Sequence, residues 1–197
     1  MASGTNRSGS TARGGRHRHE KSPPALSNGA IDGATSQTLW YFAYGSNLDP
    51  GTFLGRRRMR PLETRVGVLA GFELRFDLPV GPGERGVANV APRPGESVWG
   101  VAYRLSHPEA ERLDRSEGVH RGAYLRLEVE VRDSAGGAFS AFTYHSGRGV
   151  AGRKPSRRYL GLILAGARHH GLPAEYVARL RALSIAVDER DSQLPLF

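Results

Sequence analysis

Two short segments carry residues that could perform chemistry together. Residues 41–48 pass from aromatic and small apolar side chains into Gly-Ser-Asn, which is typical of a buried strand ending in a turn whose backbone N–H groups are free. Such a turn can bind an anion. Residues 113–118 end a predicted helix and place Glu117 between a serine and a glycine, where the chain must bend away. An anion-binding loop and one isolated carboxylate together indicate an active site.

The composition excludes several other chemistries. The 197 residues include no cysteine, which rules out a disulfide framework, a thiolate metal site and a cysteine nucleophile. His169 and His170 are adjacent, and neighbouring side chains on a helix point about 100° apart, which does not suit one shared metal ion. We interpret this pair as cations at the C terminus of a helix.

The net charge of +9 is spread along the chain. Its densest cluster is Arg56-Arg57-Arg58 with Arg60, but no aromatic residues alternate with these arginines as a single-stranded nucleic acid platform requires. We therefore predict a solvated basic face and no nucleic acid partner.

The two ends of the chain differ from its middle. Residues 1–37 are rich in Ser, Gly and Arg without apolar periodicity, so we expect a disordered basic tail. Basic residues interrupt every candidate signal peptide, and no apolar run reaches the roughly 18 residues of a membrane span. We expect a soluble, cytoplasmic protein with no membrane partner, composed of this tail, one domain over 38–185 and a C-terminal extension over 186–197.

Strands dominate the middle of the chain and helices its end. Period-two patterns and turn signals predict strands over residues 39–44, 64–70, 72–76, 87–91, 97–105, 124–132 and 138–144, with Pro92, Pro94 and Gly95 as a turn and Gly136-Gly137 as a hairpin turn. Phe72, Leu74 and Phe76 share one face and should lie in the core. These patterns favour a mostly antiparallel sheet or barrel with peripheral helices.

Helix starts are marked by capping residues. Asn47 or Asp49 followed by Pro50 predicts a short helix that ends near Gly55. Ser106-His107-Pro108-Glu109 matches a capping box, and the helix it opens should carry Leu113 inward. Ser156 can cap a helix that Gly171 stops, and Pro173 opens a last helix to about Leu183.

These residues support a resemblance to a known family. The chain resembles the gamma-glutamylcyclotransferases over residues 40–183, in the segments 41–48, 72–76, 98–101, 113–124 and 171–176 taken in order. The resemblance implies an α+β fold, a small mixed, mostly antiparallel β-barrel with peripheral α-helices. It also implies cleavage of a gamma-glutamyl amide by internal cyclisation to 5-oxoproline, with neither metal nor organic cofactor, and it is compatible with a homodimer.

The same resemblance assigns roles to individual residues. Glu117 would be the general base and then the general acid of the cyclisation. Backbone N–H groups at Gly45, Ser46 and Asn47 can form a nest for the substrate carboxylate or for the developing oxyanion. Tyr144 is expected to be a packed aromatic residue. The predicted substrate-binding set comprises Tyr41, Phe42, Ala43, Tyr44, Gly45, Ser46, Asn47, Tyr124 and Tyr159.

Two alternatives stay open at this point. Ser46 could serve a hydrolase, although Tyr-Gly-Ser-Asn departs from the Gly-x-Ser-x-Gly pattern. The barrel could instead bind a ligand without turnover. Among substrates, a gamma-glutamyl amino acid fits the loop sequence best, while a gamma-glutamyl-lysine amine, glutathione or a specialised metabolite stay as alternatives.

Overall fold

The computed structural model of the protein describes residues 38–187. The predicted tail over 1–37 and residues 188–197 of the predicted extension lie outside this range. None of the helices within 38–187 is both long enough and apolar enough to cross a membrane.

Within residues 38–187, five strands close into a barrel. They are β1 (Thr38–Ala43), β2 (Glu63–Pro79), β3 (Gly86–Ser106), β4 (Leu125–Asp133) and β5 (Ala138–His145). Their order around the barrel is β1-β3-β2-β4-β5, and the four pairs of neighbours in this order are antiparallel.

Strands β1 and β5 complete the barrel in parallel. Their register is a single pair, Tyr41 opposite Phe142. The Thr143 hydroxyl adds one bond across this junction, donating to the Phe42 carbonyl at 2.8 Å. The barrel is therefore mixed, and its closing junction holds far fewer strand hydrogen bonds than the long β2–β3 ladder.

Strands β2 and β3 are longer than the sequence pattern predicted. The two strands expected over 64–70 and 72–76 form one strand, with a bulge where the register shifts between Ala70 and Phe72. The turn expected at residues 92–95 is wrong, because β3 continues through it while Phe72 pairs with Pro92 and Ala70 with Ser97. A bulge accommodates the extra β3 residues, and bulges are among the few strand positions that tolerate proline.

The core fills the barrel and the space beneath the helices. Phe76 is buried as expected, whereas Phe72 and Leu74 are only partly buried and pack against the core from its edge. Fully buried side chains include Phe42, Phe53, Leu48, Leu105, Leu113, Ile163, Val98 and Val101.

In the part of the chain that the structure describes, three α-helices flank the barrel, namely α1 (His107–Glu117), α2 (Arg157–His169) and α3 (Ala174–Arg181). The Ser156 cap of α2 is confirmed, since its hydroxyl accepts the Tyr159 N–H at 3.1 Å. The capping box of α1 is not, because the Ser106 side chain makes no cap hydrogen bond. Glu109 instead accepts the Arg60 N–H at 2.6 Å, an interaction distant in sequence that replaces the local one.

The segment after β1 is helical but irregular. It forms a 3₁₀ turn over Ser46–Leu48 and a π-helical turn over Gly51–Arg56, where one ordinary short helix was expected. Asp49 does cap this segment, because its Oδ2 accepts the Thr52 N–H at 2.7 Å. Helix α2 lies directly against the 3₁₀ turn at Gly166, where a Cβ would come 2.3 Å from the Leu48 carbonyl carbon.

Candidate active site

Glu117 is the last residue of α1 and points into a polar pocket. Gly118 ends the helix in the left-handed region (φ 71°), a conformation that favours glycine, and so fixes where Glu117 leaves the helix axis. Its side chain is 12% exposed. The carboxylate is therefore largely shielded from solvent, and its remaining access is through the pocket.

Two side chains hold one oxygen of this carboxylate. Glu117 Oε1 accepts the Asn47 Nδ2–H group at 2.9 Å and lies 3.0 Å from an Arg57 guanidinium nitrogen. Within residues 38–187, no donor is hydrogen-bonded to Oε2. Charge-assisted contacts of this kind fix a carboxylate more firmly than neutral ones, so one oxygen is anchored and the other can take part in proton transfer.

Asn47 connects Glu117 to the barrel wall. The same Asn47 amide donates to the Tyr41 hydroxyl at 2.8 Å, and the Asn47 carbonyl accepts the Tyr103 hydroxyl at 3.2 Å. In the 3₁₀ turn, the first intrahelical donor is the Leu48 N–H, which binds the Gly45 carbonyl at 3.0 Å. The N–H groups of Ser46 and Asn47 precede that first bond, as expected for the predicted nest.

Backbone groups of Ala88 position two of the predicted tyrosines. The Tyr124 hydroxyl donates to the Ala88 carbonyl at 2.8 Å, and the Ala88 N–H donates to the Tyr159 hydroxyl at 3.2 Å. Both hydroxyls line the pocket that holds Glu117. One residue of β3 thus orients an aromatic side chain from each of two distant segments.

A half-buried ion pair orients a further tyrosine. Arg126 makes a bidentate contact with Asp114, with both N–O distances 2.8 Å, and the Tyr144 hydroxyl donates to the same carboxylate at 2.7 Å. Asp114 lies one helical turn before Glu117 on α1. This cluster therefore ties the end of α1 to strands β4 and β5.

The pocket tyrosines keep their protons far above neutral pH. Burial raises the pKa of Tyr41 well above its usual value, and the nearby Glu117 carboxylate raises it further. Burial likewise raises the pKa of Tyr124 and Tyr159. These hydroxyls are suited to donating or accepting hydrogen bonds and not to acting as bases.

The pocket brings together most of the predicted site. Its volume is about 40 Å³, and its lining comprises Tyr41, Tyr44, Gly45, Ser46, Asn47, Glu117, Tyr124, Tyr144 and Tyr159. Phe42 and Ala43 are not part of this lining and are fully buried in the core. Tyr144, which we had expected only to pack, also faces the pocket, because its ring lies 5.4 Å from that of Tyr41 across the β1–β5 junction.

Arg57 is the residue that sequence analysis missed. The predicted solvated basic face is wrong at this position, since the Arg57 side chain is 19% exposed and pairs with Glu117. Neighbouring Arg56 and Arg58 are exposed, and Arg58 adopts a left-handed backbone (φ 54°). Three consecutive arginines offer no signal for which one turns inward; only the irregular turn before them decides it.

The histidine pair also differs from its prediction. Burial and the adjacent His169 lower the pKa of His170, which favours a neutral ring where a cation was expected. The His170 Nε2 atom lies 3.1 Å from the Tyr103 hydroxyl. Within residues 38–187, no group of three or more His, Asp or Glu side chains is arranged to hold a metal ion.

Known proteins resemble this chain over most of its length. Gamma-glutamylcyclotransferase of Mus musculus is 34% identical over 155 residues, covering 77% of this chain and 81% of the mouse protein, and that of Homo sapiens is 31% identical, covering 78% and 82%. The chain belongs to the gamma-glutamylcyclotransferase family. A family model described as AIG2-like matches residues 97–180, which include Glu117.

A solved structure extends the family likeness to the fold. A gamma-glutamyl cyclotransferase structure superposes with a TM-score of 0.67 at 29% identity, covering 79% of this chain and 96% of the other. The expected closed barrel with flanking helices is therefore the family's own architecture.

Proposed function

We propose that this member of the gamma-glutamylcyclotransferase family cleaves a gamma-glutamyl amide, most simply a gamma-glutamyl amino acid, to 5-oxoproline and a free amine. The observation that carries this proposal is the Glu117 carboxylate, anchored through Oε1 by Arg57 and Asn47 while Oε2 lies free of donors within the described residues. A general base needs a fixed position and an available lone pair, and this arrangement provides both.

The reaction balances with one carboxylate. The substrate's α-amine attacks its own γ-carbonyl carbon as Glu117 Oε2 accepts a proton from the attacking nitrogen. The carbonyl carbon then releases the amide nitrogen, and the protonated Glu117 returns the proton to that leaving nitrogen. A new lactam C–N bond replaces the amide C–N bond, so no water, metal or redox partner enters the balance.

Backbone donors support the charge that develops in this step. Negative charge accumulates on the γ-carbonyl oxygen, and the N–H groups of Ser46 and Asn47 are suited to bind it. A well-placed oxyanion donor contributes about 10²–10³ in rate. We assign the hydroxyls of Tyr124 and Tyr159 to orienting the substrate, because Ala88 fixes both of them at the pocket wall.

The Glu117→Gln variant tests this mechanism. Its amide oxygen can still accept the hydrogen bonds of Asn47 and Arg57, so the fold and substrate binding should be retained, but it cannot take up a proton. We expect kcat for a gamma-glutamyl amino acid to fall by about 10²–10⁴ with little change in substrate affinity, measured as 5-oxoproline by mass spectrometry and by calorimetry.

Two outcomes would contradict the proposal. Equal 5-oxoproline formation by wild type and Glu117→Gln would remove Glu117 from the mechanism. Tight binding of gamma-glutamyl compounds by the wild type without any product would favour the ligand-binding alternative.

A further inference from the structure

A second cavity adjoins the Glu117 pocket. It has a volume of about 280 Å³ and shares Ser46 and Tyr159 with the first pocket. Its remaining walls come from the end of the β2–β3 hairpin, from the first turns of α2 and from the end of the π-helical turn. The rest of its lining comprises Arg56, Val80, Arg85, Gly86, Val87, Ser156, Arg158 and Leu162.

The two cavities differ in volume, and this difference indicates which part of a substrate each of them can hold. One buried water needs about 10–15 Å³, so the 40 Å³ beside Glu117 has room for about three waters, or for a small polar group. A whole gamma-glutamyl amide exceeds this volume. Ser46 and Tyr159 border both cavities, so the part of the substrate beyond the reacting atoms can extend past them into the larger cavity.

The larger cavity is cationic. Arg56, Arg85 and Arg158 line it, and no carboxylate within residues 38–187 lies within 4.0 Å of any of their guanidinium groups. The neighbouring Glu84 pairs with Lys154 at 3.2 Å instead. Helix α2 also begins at this wall, and the N-terminal end of its dipole adds positive potential.

Apolar side chains accompany these charges. Val80, Val87 and Leu162 line the same cavity, and the Val80 side chain is exposed. A ligand that satisfies both features carries an anionic group and an apolar group close to each other. An α-amino acid with an apolar side chain has this combination.

On the basis of the proposed function, we infer that the larger cavity binds the leaving part of the substrate and selects leaving amines with an anionic group beside the scissile amide. The guanidinium groups bind that anion, most simply the carboxylate of the released amino acid, while the valines and leucine contact its side chain. The same cavity disfavours uncharged amines. It also disfavours the lysine part of gamma-glutamyl-ε-lysine, because the carboxylate of that lysine lies a whole side chain away from the scissile amide.

A matched pair of substrates tests this selection. Gamma-glutamyl-L-alanine and gamma-glutamyl-ethylamide differ only by the carboxylate on the leaving amine. We expect the wild type to prefer the alanine compound about twentyfold in kcat/KM. The double variant Arg85→Gln/Arg158→Gln should reduce this ratio about tenfold, because it loses two partly exposed charge contacts with the carboxylate. Arg168→Gln, an exposed arginine at the other end of α2, should leave the ratio at its wild-type value.

The outcomes separate this inference from the proposed function. If the double variant loses activity equally on both substrates, the arginines bind the glutamyl end and the inference is wrong. Binding of both compounds to the Glu117→Gln variant is measured by calorimetry in parallel. Equal affinity for the two compounds would also overturn the inference about the larger cavity. A third outcome is that the protein binds the alanine compound selectively while the wild type forms no 5-oxoproline. That outcome would support the selectivity of the cavity and overturn only the proposed function.

Discussion

Arg57 shows how a surface arginine cluster can conceal a site residue. Its guanidinium and the Asn47 side-chain amide both contact Glu117 Oε1. An arginine paired in this way restricts where the carboxylate can move, and small displacements of a catalytic group are costly in rate. On the basis of the proposed function, we therefore propose Arg57 as a positioning residue for Glu117.

The Arg57→Gln variant should lower kcat more than it raises KM. Without the ion pair, Glu117 keeps only its Asn47 contact and samples orientations that do not reach the α-amine. We expect kcat to fall about 10–100-fold with KM changed less than threefold, measured by steady-state 5-oxoproline formation. Arg58→Gln is the matched control, because the exposed Arg58 makes no ion pair with the described residues. An increase in KM with kcat unchanged would assign Arg57 to substrate binding instead.

The sequence predicts Glu117 and the loop at residues 45–47 as site residues, but it does not predict their supports. Glu117 is assigned by the family resemblance of residues 113–124, because a glutamate at a helix end, taken alone, indicates no more than a solvent-exposed side chain. Its partners come from elsewhere in the chain, and the Asp114–Arg126–Tyr144 cluster depends on how β4 and β5 pack on α1. No local pattern encodes such contacts between segments.

At the scale of elements, the site depends on how α2 lies against the 3₁₀ turn. Gly166 allows the helix to approach Leu48 and so holds the turn that presents Ser46 and Asn47. Helix α2 itself can be predicted from the periodicity of its apolar residues and from its Ser156 cap. Its close approach to the turn cannot, because it depends on tertiary packing.

Two glycines of the same helix provide a matched test. In Gly166→Ala the new methyl group would lie 2.3–2.6 Å from backbone atoms of Leu48 and Asp49, which cannot move aside without disturbing the turn. We therefore expect the free energy of unfolding to fall by about 1–3 kcal/mol, together with reduced activity. Gly161 has no atom within 4 Å of its Cβ position. Gly161→Ala should therefore gain about 0.5–1 kcal/mol through helix propensity. Urea denaturation of both variants measures this contrast, and similar effects at the two positions would contradict the packing argument.

The strands illustrate the other limit of local patterns. Residues 92–95 have the composition of a turn, yet β3 passes through them because its extra residues between Pro92 and Ser97 form a bulge opposite β2. Pairing over long strands outweighs a local turn preference. The hairpin of β4 and β5 was predicted correctly because its Gly136-Gly137 turn agrees with the pairing on both sides.

At the scale of the whole molecule, the aromatic pocket makes stability sensitive to alkaline pH. Burial raises the folded-state pKa of Tyr41, Tyr44, Tyr124, Tyr144 and Tyr159 above their unfolded value. The protonated form is therefore favoured by folding. The stability that these groups contribute is fully present below pH 10 and is lost as the pH rises above it.

We expect the free energy of unfolding to decline above pH 10, by up to about 1.4 kcal/mol per pH unit for each buried tyrosine. Urea denaturation between pH 8 and 11.5 measures the slope, and Tyr44→Phe should make it shallower by removing one titrating group. If the tyrosines ionise near pH 10, as measured by tyrosinate absorbance, while the free energy of unfolding stays unchanged, the prediction is wrong.

The barrel closes at the sparse junction between β1 and β5, and the pocket lies across that junction. Tyr41 stands on one side and Tyr144 on the other, while the strands themselves share one register pair and one Thr143 hydrogen bond. A ligand in the pocket that contacts both tyrosines would connect the two strands across this junction. Because any ligand that binds only the folded chain adds to its stability, a ligand in this pocket should stabilise the closed barrel at the junction that has the fewest strand contacts.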